Sequence, residues 1–178
     1  MKSQQKDDQQ DDKLLFGLVL FDTKEKKSKI EKAIQSILKI DYPADKLKII
    51  ICSYLSEDKK LDHYVNYANI LLSKFRHTRL LLNHKLEKDD EVDYNAFMLC
   101  KYADYFVKMN HDEEISSNIF KNISKANFSK DSIIKQGETI ALPKNLVSKN
   151  YLDFNDYDRM SKHLLKEADK NNSIKNIT

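Results

Sequence analysis

A cluster of polar and acidic side chains follows an apolar segment in the middle of the chain. Residues 105–109 (Tyr-Phe-Val-Lys-Met) favour a half-buried strand, and residues 110–114 (Asn-His-Asp-Glu-Glu) come directly after it. Carboxylates at a strand end can hold hard cations such as Mg²⁺ or Mn²⁺ against a diphosphate. Asp112 is therefore a candidate metal ligand with Glu113 as a helper. Alternatively, these carboxylates only complement the dipole of a helix predicted over 116–125.

The composition describes a globular domain and excludes several classes of function. The chain has 178 residues, of which 40% are hydrophobic and 33% charged, so one domain can bury a core without disulfides. The 31 basic residues are interleaved with 28 acidic ones, a pattern that does not support nucleic-acid binding. Gly17 and Gly137 are the only glycines. A dinucleotide fingerprint or a phosphate loop is therefore absent, which excludes most dehydrogenases, NTPases and kinases.

The cysteines and the N-terminal segment bear on the compartment. Cys52 and Cys100 lie in apolar stretches and form no C-x-x-C pair, so zinc binding and dithiol chemistry are not expected. Free thiols are typical of a reducing interior. Residues 1–13 contain no apolar segment of a signal peptide, and no run is long enough to span a membrane. We expect a cytoplasmic protein without a transmembrane segment.

Apolar strands and amphipathic helices alternate along the chain. We expect a disordered polar tail over 1–13, a single domain over 14–169 and a frayed tail over 170–178. Segment 132–142 favours a strand or a hairpin around Gly137. The alternation predicts an α/β fold with a mostly parallel sheet covered on both faces. The predicted strands are 14–21, 47–52, 78–82 and 104–109, and the helix faces between them fall within 30–38, 61–75 and 96–103.

Several short sequence segments within residues 14–124 resemble those of glycosyltransferase family 2. These are residues 36–43 (Ser-Ile-Leu-Lys-Ile-Asp-Tyr-Pro), 94–96 (Tyr-Asn-Ala) and the stretch from Ala103-Asp104-Tyr105 to Asp112. The resemblance implies a three-layer α/β/α nucleotide-diphosphosugar-transferase-like (GT-A) sheet. It also implies that the protein binds a nucleotide-sugar with Mn²⁺ or Mg²⁺ and transfers the sugar to a glycan, lipid or protein acceptor.

The same resemblance assigns roles to individual residues. Asp112 would contact the metal, and Asn110 stands where the family has the first Asp of its metal motif. Ser53 and Tyr54 occupy the place of the acidic pair that reads uracil. The implied donor site comprises Asp22, Thr23, Ser53, Tyr54, Asn95, Asn110 and Asp112. An N-cap role would equally explain Asp22.

The chain also departs from the family pattern. It contains no Trp, so the Gln-x-x-Arg-Trp motif is missing. Asp153, Asp156 and Asp158 form the only acidic cluster far enough downstream to supply the general base. Two alternatives to an active transferase follow: a non-catalytic binding or assembly module with this fold, and the donor-binding part of a larger transferase.

Overall fold

The computed structural model describes residues 14–22, 30–54, 61–83, 95–126, 128–129, 131–148, 157–171 and 173–177. These residues form seven strands and six helical segments. In chain order they are β1 Phe16–Asp22, α1 Ile30–Leu38, β2 Leu47–Tyr54, α2 Leu61–Leu72, β3 His77–Asn83, α3 95–99, β4 Tyr105–Asn110, α4 Ile119–Lys125, β5 Ile133–Gln136, β6 Thr139–Pro143, α5 144–148, α6 Tyr157–Lys170 and β7 Ile174–Asn176. The predicted tail over 1–13 lies outside the described residues.

All seven strands join one mixed sheet in the order β3-β2-β1-β4-β6-β5-β7. The pairs β1–β2, β1–β4, β2–β3 and β5–β7 are parallel, whereas β6 runs antiparallel to both β4 and β5. Every residue of β1 is buried, which explains its near-continuous apolar sequence. The predicted α/β fold with a mostly parallel sheet is confirmed.

The two faces of the sheet pack against different helices. Because side chains alternate along a strand, Leu18 and Leu20 lie on one face and Val19 and Phe21 on the other. The first face packs against α1, α2 and α4, and the second against α3, α5 and α6. The result is the expected three-layer α/β/α arrangement. None of the described helices is both long and apolar enough to cross a membrane.

A tight hairpin joins β5 to β6. Gln136 pairs with Thr139, so Gly137 and Glu138 form a two-residue connection. Gly137 has a φ of 58°, the conformation that such connections require and that glycine adopts without strain. The alternatives predicted for 132–142 are thereby resolved in favour of a hairpin.

The end of the chain differs from the predicted frayed tail. Residues Ile174–Asn176 form β7, which pairs with β5 at the edge of the sheet. The backbone N–H of Ser173 donates to the Ala168 carbonyl and turns the chain back from α6. A three-residue strand is too short to show a periodic sequence pattern. It is stabilised by pairing with a strand that is distant in the sequence, which local sequence patterns do not reveal.

Gly17 marks the closest approach of β1 to the segment that follows α3. A Cβ atom at this position would lie 2.8 Å from Cys100 Cβ, 3.0 Å from Cys100 Sγ and 3.2 Å from Phe106 Cδ1. These distances are shorter than ordinary van der Waals contacts, so only glycine fits here without a shift of the helix.

We predict that Gly17→Ala lowers the free energy of unfolding by about 1–3 kcal/mol, because the added methyl overpacks the second face. Urea unfolding followed by circular dichroism measures the loss. Gly137→Asn is the control, since no atom lies within 4 Å of a Cβ there and Asn tolerates positive φ. We expect that control to change the stability by less than about 0.5 kcal/mol. Equal losses in the two variants would contradict the close-approach argument.

Candidate functional site

The carboxyl-terminal ends of three adjacent strands bring predicted site residues to one edge of the sheet. Asp22 of β1 is opposite Ser53 of β2, and Phe21 is opposite Asn110 of β4. The chain leaves β1 toward β2 and β3 on one side, while β4 pairs on the other side. Ligands of open α/β sheets bind at such a switch in strand order. The sequence-predicted residues Asp22, Ser53 and Asn110 therefore share one location.

Asp22 is a buried carboxylate held by the neighbouring helix. It is 1% exposed and accepts a hydrogen bond from the Tyr64 hydroxyl of α2. Burial raises the pKa of Tyr64, and the hydrogen bond to Asp22 raises it further, so the phenol keeps the proton that it donates. This contact ties the end of β1 to α2. The alternative N-cap role involves residues 23–29, which lie outside the described residues.

Ser53 places a buried hydroxyl beside this pair. It is fully buried, and its Oγ has no hydrogen-bond partner of good geometry among the described residues. The hydroxyl still lies close enough to Tyr64 to oppose the rise in the pKa of that phenol. A buried hydroxyl without a well-formed bond is uncommon, and a polar atom of a ligand or a water molecule would satisfy it. The side chain of Tyr54, the next predicted residue, lies outside the described residues.

The turn after β4 is organised by Glu113. Its carboxylate accepts a hydrogen bond from the Asn110 backbone N–H at 2.8 Å and another from the Asn110 side-chain amide at 2.9 Å. The Glu113 backbone N–H in turn donates to the Asn110 carbonyl at 3.1 Å. Glu113, predicted to be a helper of the metal ligand, thus fixes the orientation of Asn110. Only the amide nitrogen of Asn110 can donate to Glu113. This hydrogen bond therefore identifies which side-chain atom of Asn110 is the nitrogen and which is the oxygen.

Oxygen donors at this turn suit a hard cation but do not enclose one. Asp112 is exposed, whereas the preceding His111 is buried. No group of three or more His, Cys, Asp or Glu side chains in the described part of the chain is arranged to hold a metal ion. Mg²⁺-type cations are often bound by one or two carboxylates together with substrate phosphates. The residues present therefore fit a cation whose coordination a bound diphosphate completes.

A cleft of about 370 Å³ opens beside β4 on the side of the hairpin. Its polar lining includes Lys108 and Asn110 from β4, Glu114 from the following turn, Glu138 from the hairpin and Ser161 from α6. The Lys108 ammonium lies 4.5 Å from the centre of the Phe21 ring, which places a positive charge near the end of β1. The cleft adjoins the strand-end site and can hold a group next to it.

Sequence reasoning missed Glu138 and Ser161. They reach the cleft only because β6 pairs antiparallel with β4 and because α6 packs on the second face. Glu138 follows the turn glycine directly, so its local sequence indicated only a surface loop.

The remaining predicted residues are Asn95, Thr23, Asp153, Asp156 and Asp158. Asn95 is exposed at the first described residue of α3. Asp158 belongs to α6, but its side chain lies outside the described residues, as do Thr23, Asp153 and Asp156 altogether.

Comparison with known proteins identifies the fold. No protein-family model matches the chain, and no curated protein matches it either. The mannosyltransferase PcManGT from Pyrobaculum calidifontis, solved with GDP-Man and Mn²⁺, is similar with a TM-score of 0.62 at 13% identity. The match covers 77% of this chain and 46% of that one. S. aureus TarS 1–349 in complex with UDP gives a TM-score of 0.57 at 14% identity, covering 77% and 49%.

A nucleotidyl-transferring enzyme shares the same architecture. A cytidylyltransferase from Leptospira borgpetersenii serovar Hardjo-bovis gives a TM-score of 0.57 at 9% identity and covers 92% of this chain and 76% of its own. The expected nucleotide-diphosphosugar-transferase-like fold is confirmed by these neighbours. The chain spans about half the length of PcManGT and TarS 1–349.

We predict that Tyr64→Phe lowers the free energy of unfolding by about 1.5–3 kcal/mol, because it removes a donor from a buried carboxylate. Tyr67→Phe in the same helix is the control. Its hydroxyl donates to Glu31 at 3.3 Å in an exposed position, so a loss below about 0.5 kcal/mol is expected. Urea unfolding at neutral pH compares the two. If the Tyr67 variant loses as much as the Tyr64 variant, the Asp22 contact is not what holds α2 to β1.

We predict that Asn110→Asp lowers the melting temperature in EDTA and that Mn²⁺ restores it. The change replaces the amide donor with a second carboxylate next to Glu113, at a cost of about 1 kcal/mol, and a cation that binds only the folded state offsets this loss. Asn145→Asp is a matched control, since the Asn145 amide donates to the exposed Asp131 at 3.0 Å. The control should lose similar stability without rescue. Equal rescue of both variants would count against a cation site at the β4 turn.

Proposed function

We propose that this protein is glycosyltransferase-like: it binds a nucleotide-sugar with Mn²⁺ or Mg²⁺ and transfers the sugar to an acceptor. One observation carries the proposal. The register of β1, β2 and β4 gathers Asp22, Ser53 and Asn110 at the switch in strand order, beside an open cleft. Neighbours of the same fold were solved with GDP-Man and Mn²⁺ and with UDP, which supports a nucleotide-sugar at this edge.

The β1–β2 side is the proposed nucleoside end of the site. Ser53 supports this role, because its hydroxyl lies at the end of β2 beside Tyr64 and can both donate and accept a hydrogen bond. Tyr64 holds the Asp22 carboxylate beside it. Thr23 and Tyr54 remain predicted members of the same pocket, and Asn95 a predicted contact of the sugar-diphosphate.

The β4 turn is the proposed diphosphate end. Asp112 would bind the cation, while Glu113 fixes Asn110 next to it. When bound, the cation would supply Lewis-acid stabilisation of the departing diphosphate. Lys108, at the edge of the cleft, adds a positive charge on the same side.

The cleft between β4 and the hairpin is the proposed acceptor side. Inverting sugar transfer needs a carboxylate to accept the proton of the acceptor hydroxyl. Glu114 and Glu138 line this cleft and join Asp153, Asp156 and Asp158 as candidates for that base. The acceptor class, glycan, lipid or protein, follows from the resemblance alone. The cytoplasmic location predicted from the sequence is part of the same proposal.

Two alternatives keep the fold and change the role. A non-catalytic module would retain the sheet without donor binding, and Asn110 and Ser53 in place of carboxylates favour it. A larger transferase would use this chain as its donor half, which agrees with the half-length matches. The match to the cytidylyltransferase covers most of both chains. CTP is therefore included as a ligand in the same test.

Calorimetric titration with UDP, GDP and CTP, each with Mn²⁺ and with EDTA, tests the proposal. We expect a nucleoside diphosphate to bind in Mn²⁺ and Asp112→Ala to weaken that binding at least tenfold, because the cation loses its carboxylate. Asp169→Ala, an exposed aspartate at the end of α6, is the control and should bind like wild type.

Three results would change the proposal. A folded protein that binds none of these nucleotides at about millimolar concentration, where affinity is only about 4 kcal/mol, would reject the enzyme and favour the binding module. Selective CTP binding would favour nucleotidyl transfer. Binding that is insensitive to both EDTA and Asp112→Ala would reject the metal role of that residue.

A further inference from the structure

A second surface with both apolar and basic side chains lies at the opposite edge of the sheet. We define this basic-apolar patch by Met98, Leu99, Tyr102, Lys46, Lys48 and Lys101. The three apolar members are 46%, 38% and 74% exposed, respectively. Large apolar side chains grouped on the surface usually mark a contact with a partner.

The patch surrounds a small cleft of about 210 Å³. Leu99, Tyr102, Lys46 and Lys48 line it, together with His77 at the start of β3. The Lys101 ammonium lies 5.0 Å from the centre of the Tyr102 ring, so this aromatic side chain is flanked by positive charge. The charged groups that face the cleft are therefore mainly basic. Among the described residues that line this cleft, Asp45 is the only acidic one.

The patch is separate from the proposed donor site. Lys48 pairs with His77, and Phe16 pairs with Leu47 and Tyr105, where the parallel strands begin. The donor-site residues stand where the same strands end. A partner at the patch would therefore leave the strand-end site uncovered.

We propose that the basic-apolar patch docks on an anionic lipid bilayer. Lysines beside such a surface attract its phosphate head groups, and tyrosine sits at the interface with its ring in apolar and its hydroxyl in polar surroundings. Met98 and Leu99 supply apolar side chains that can enter the head-group region. The chemistry recognised is thus an anionic phosphate above an apolar layer.

The composition of the patch favours lipid over protein. Lysine is depleted in protein–protein interfaces, whereas half of the defining residues here are lysines. An acidic protein partner is the competing occupant, and the experiment includes it.

Sedimentation with vesicles tests the proposal on the full chain. We expect binding to phosphatidylcholine vesicles that contain about 30 mol% phosphatidylglycerol, none to pure phosphatidylcholine, and release at about 0.5 M salt. Lys48→Gln should weaken binding about fivefold and Leu99→Asn about tenfold. Lys125→Gln and Leu61→Asn are the controls, because each makes the same chemical change at an exposed position outside the patch.

The outcomes are distinct from those of the nucleotide titration. Absence of binding to anionic vesicles at low salt would overturn the proposal, and so would equal losses in the control variants. Binding to polyglutamate but not to vesicles would assign the patch to an acidic protein and would also overturn it. Leu99→Asn should bind nucleotide as the wild-type protein does, because it lies outside the donor site. The vesicle test also contains no nucleotide, so its result does not depend on whether the protein binds one.

Discussion

The burial of β1 on both faces is the constraint on which the rest of the structure depends. A central strand with no exposed residue must be apolar along its length, so polar chemistry is confined to its end at Asp22. Its two parallel neighbours follow the same rule and bring Ser53 and Asn110 to that end. The site is therefore a consequence of sheet register. Gly17 adds a second consequence, since the second face can close over β1 only where a side chain is missing.

Sequence alone predicted the parts of the molecule governed by local pattern. Buried parallel strands appear as apolar runs, and the helices between them show one apolar face. The alternation of strands and helices up to β4 could therefore be predicted from the sequence. The end of β4 was readable as well, because polar residues stop an apolar run there. The confirmed fold depends on these two signals.

The parts that depend on long-range pairing were not readable. Tyr64 and Asp22 are far apart in the sequence, with α1 and β2 between them. The local sequence around either residue does not indicate their contact. Glu138 reaches the cleft because β6 pairs antiparallel with β4. Strand β7 forms because it pairs with β5. The local sequence also did not indicate that the Glu113 carboxylate accepts two hydrogen bonds from Asn110, and its role beside a metal stays a prediction.

The length of the parallel strands also sets a distance. β1 has seven residues, which at about 3.3 Å per residue separate its two ends by about 20 Å. If the edge where the strands begin rests on a bilayer, the opposite edge stands that far above the lipid head groups. The strands then act as a spacer, and an acceptor anchored in the same bilayer must carry a polar portion long enough to reach across it.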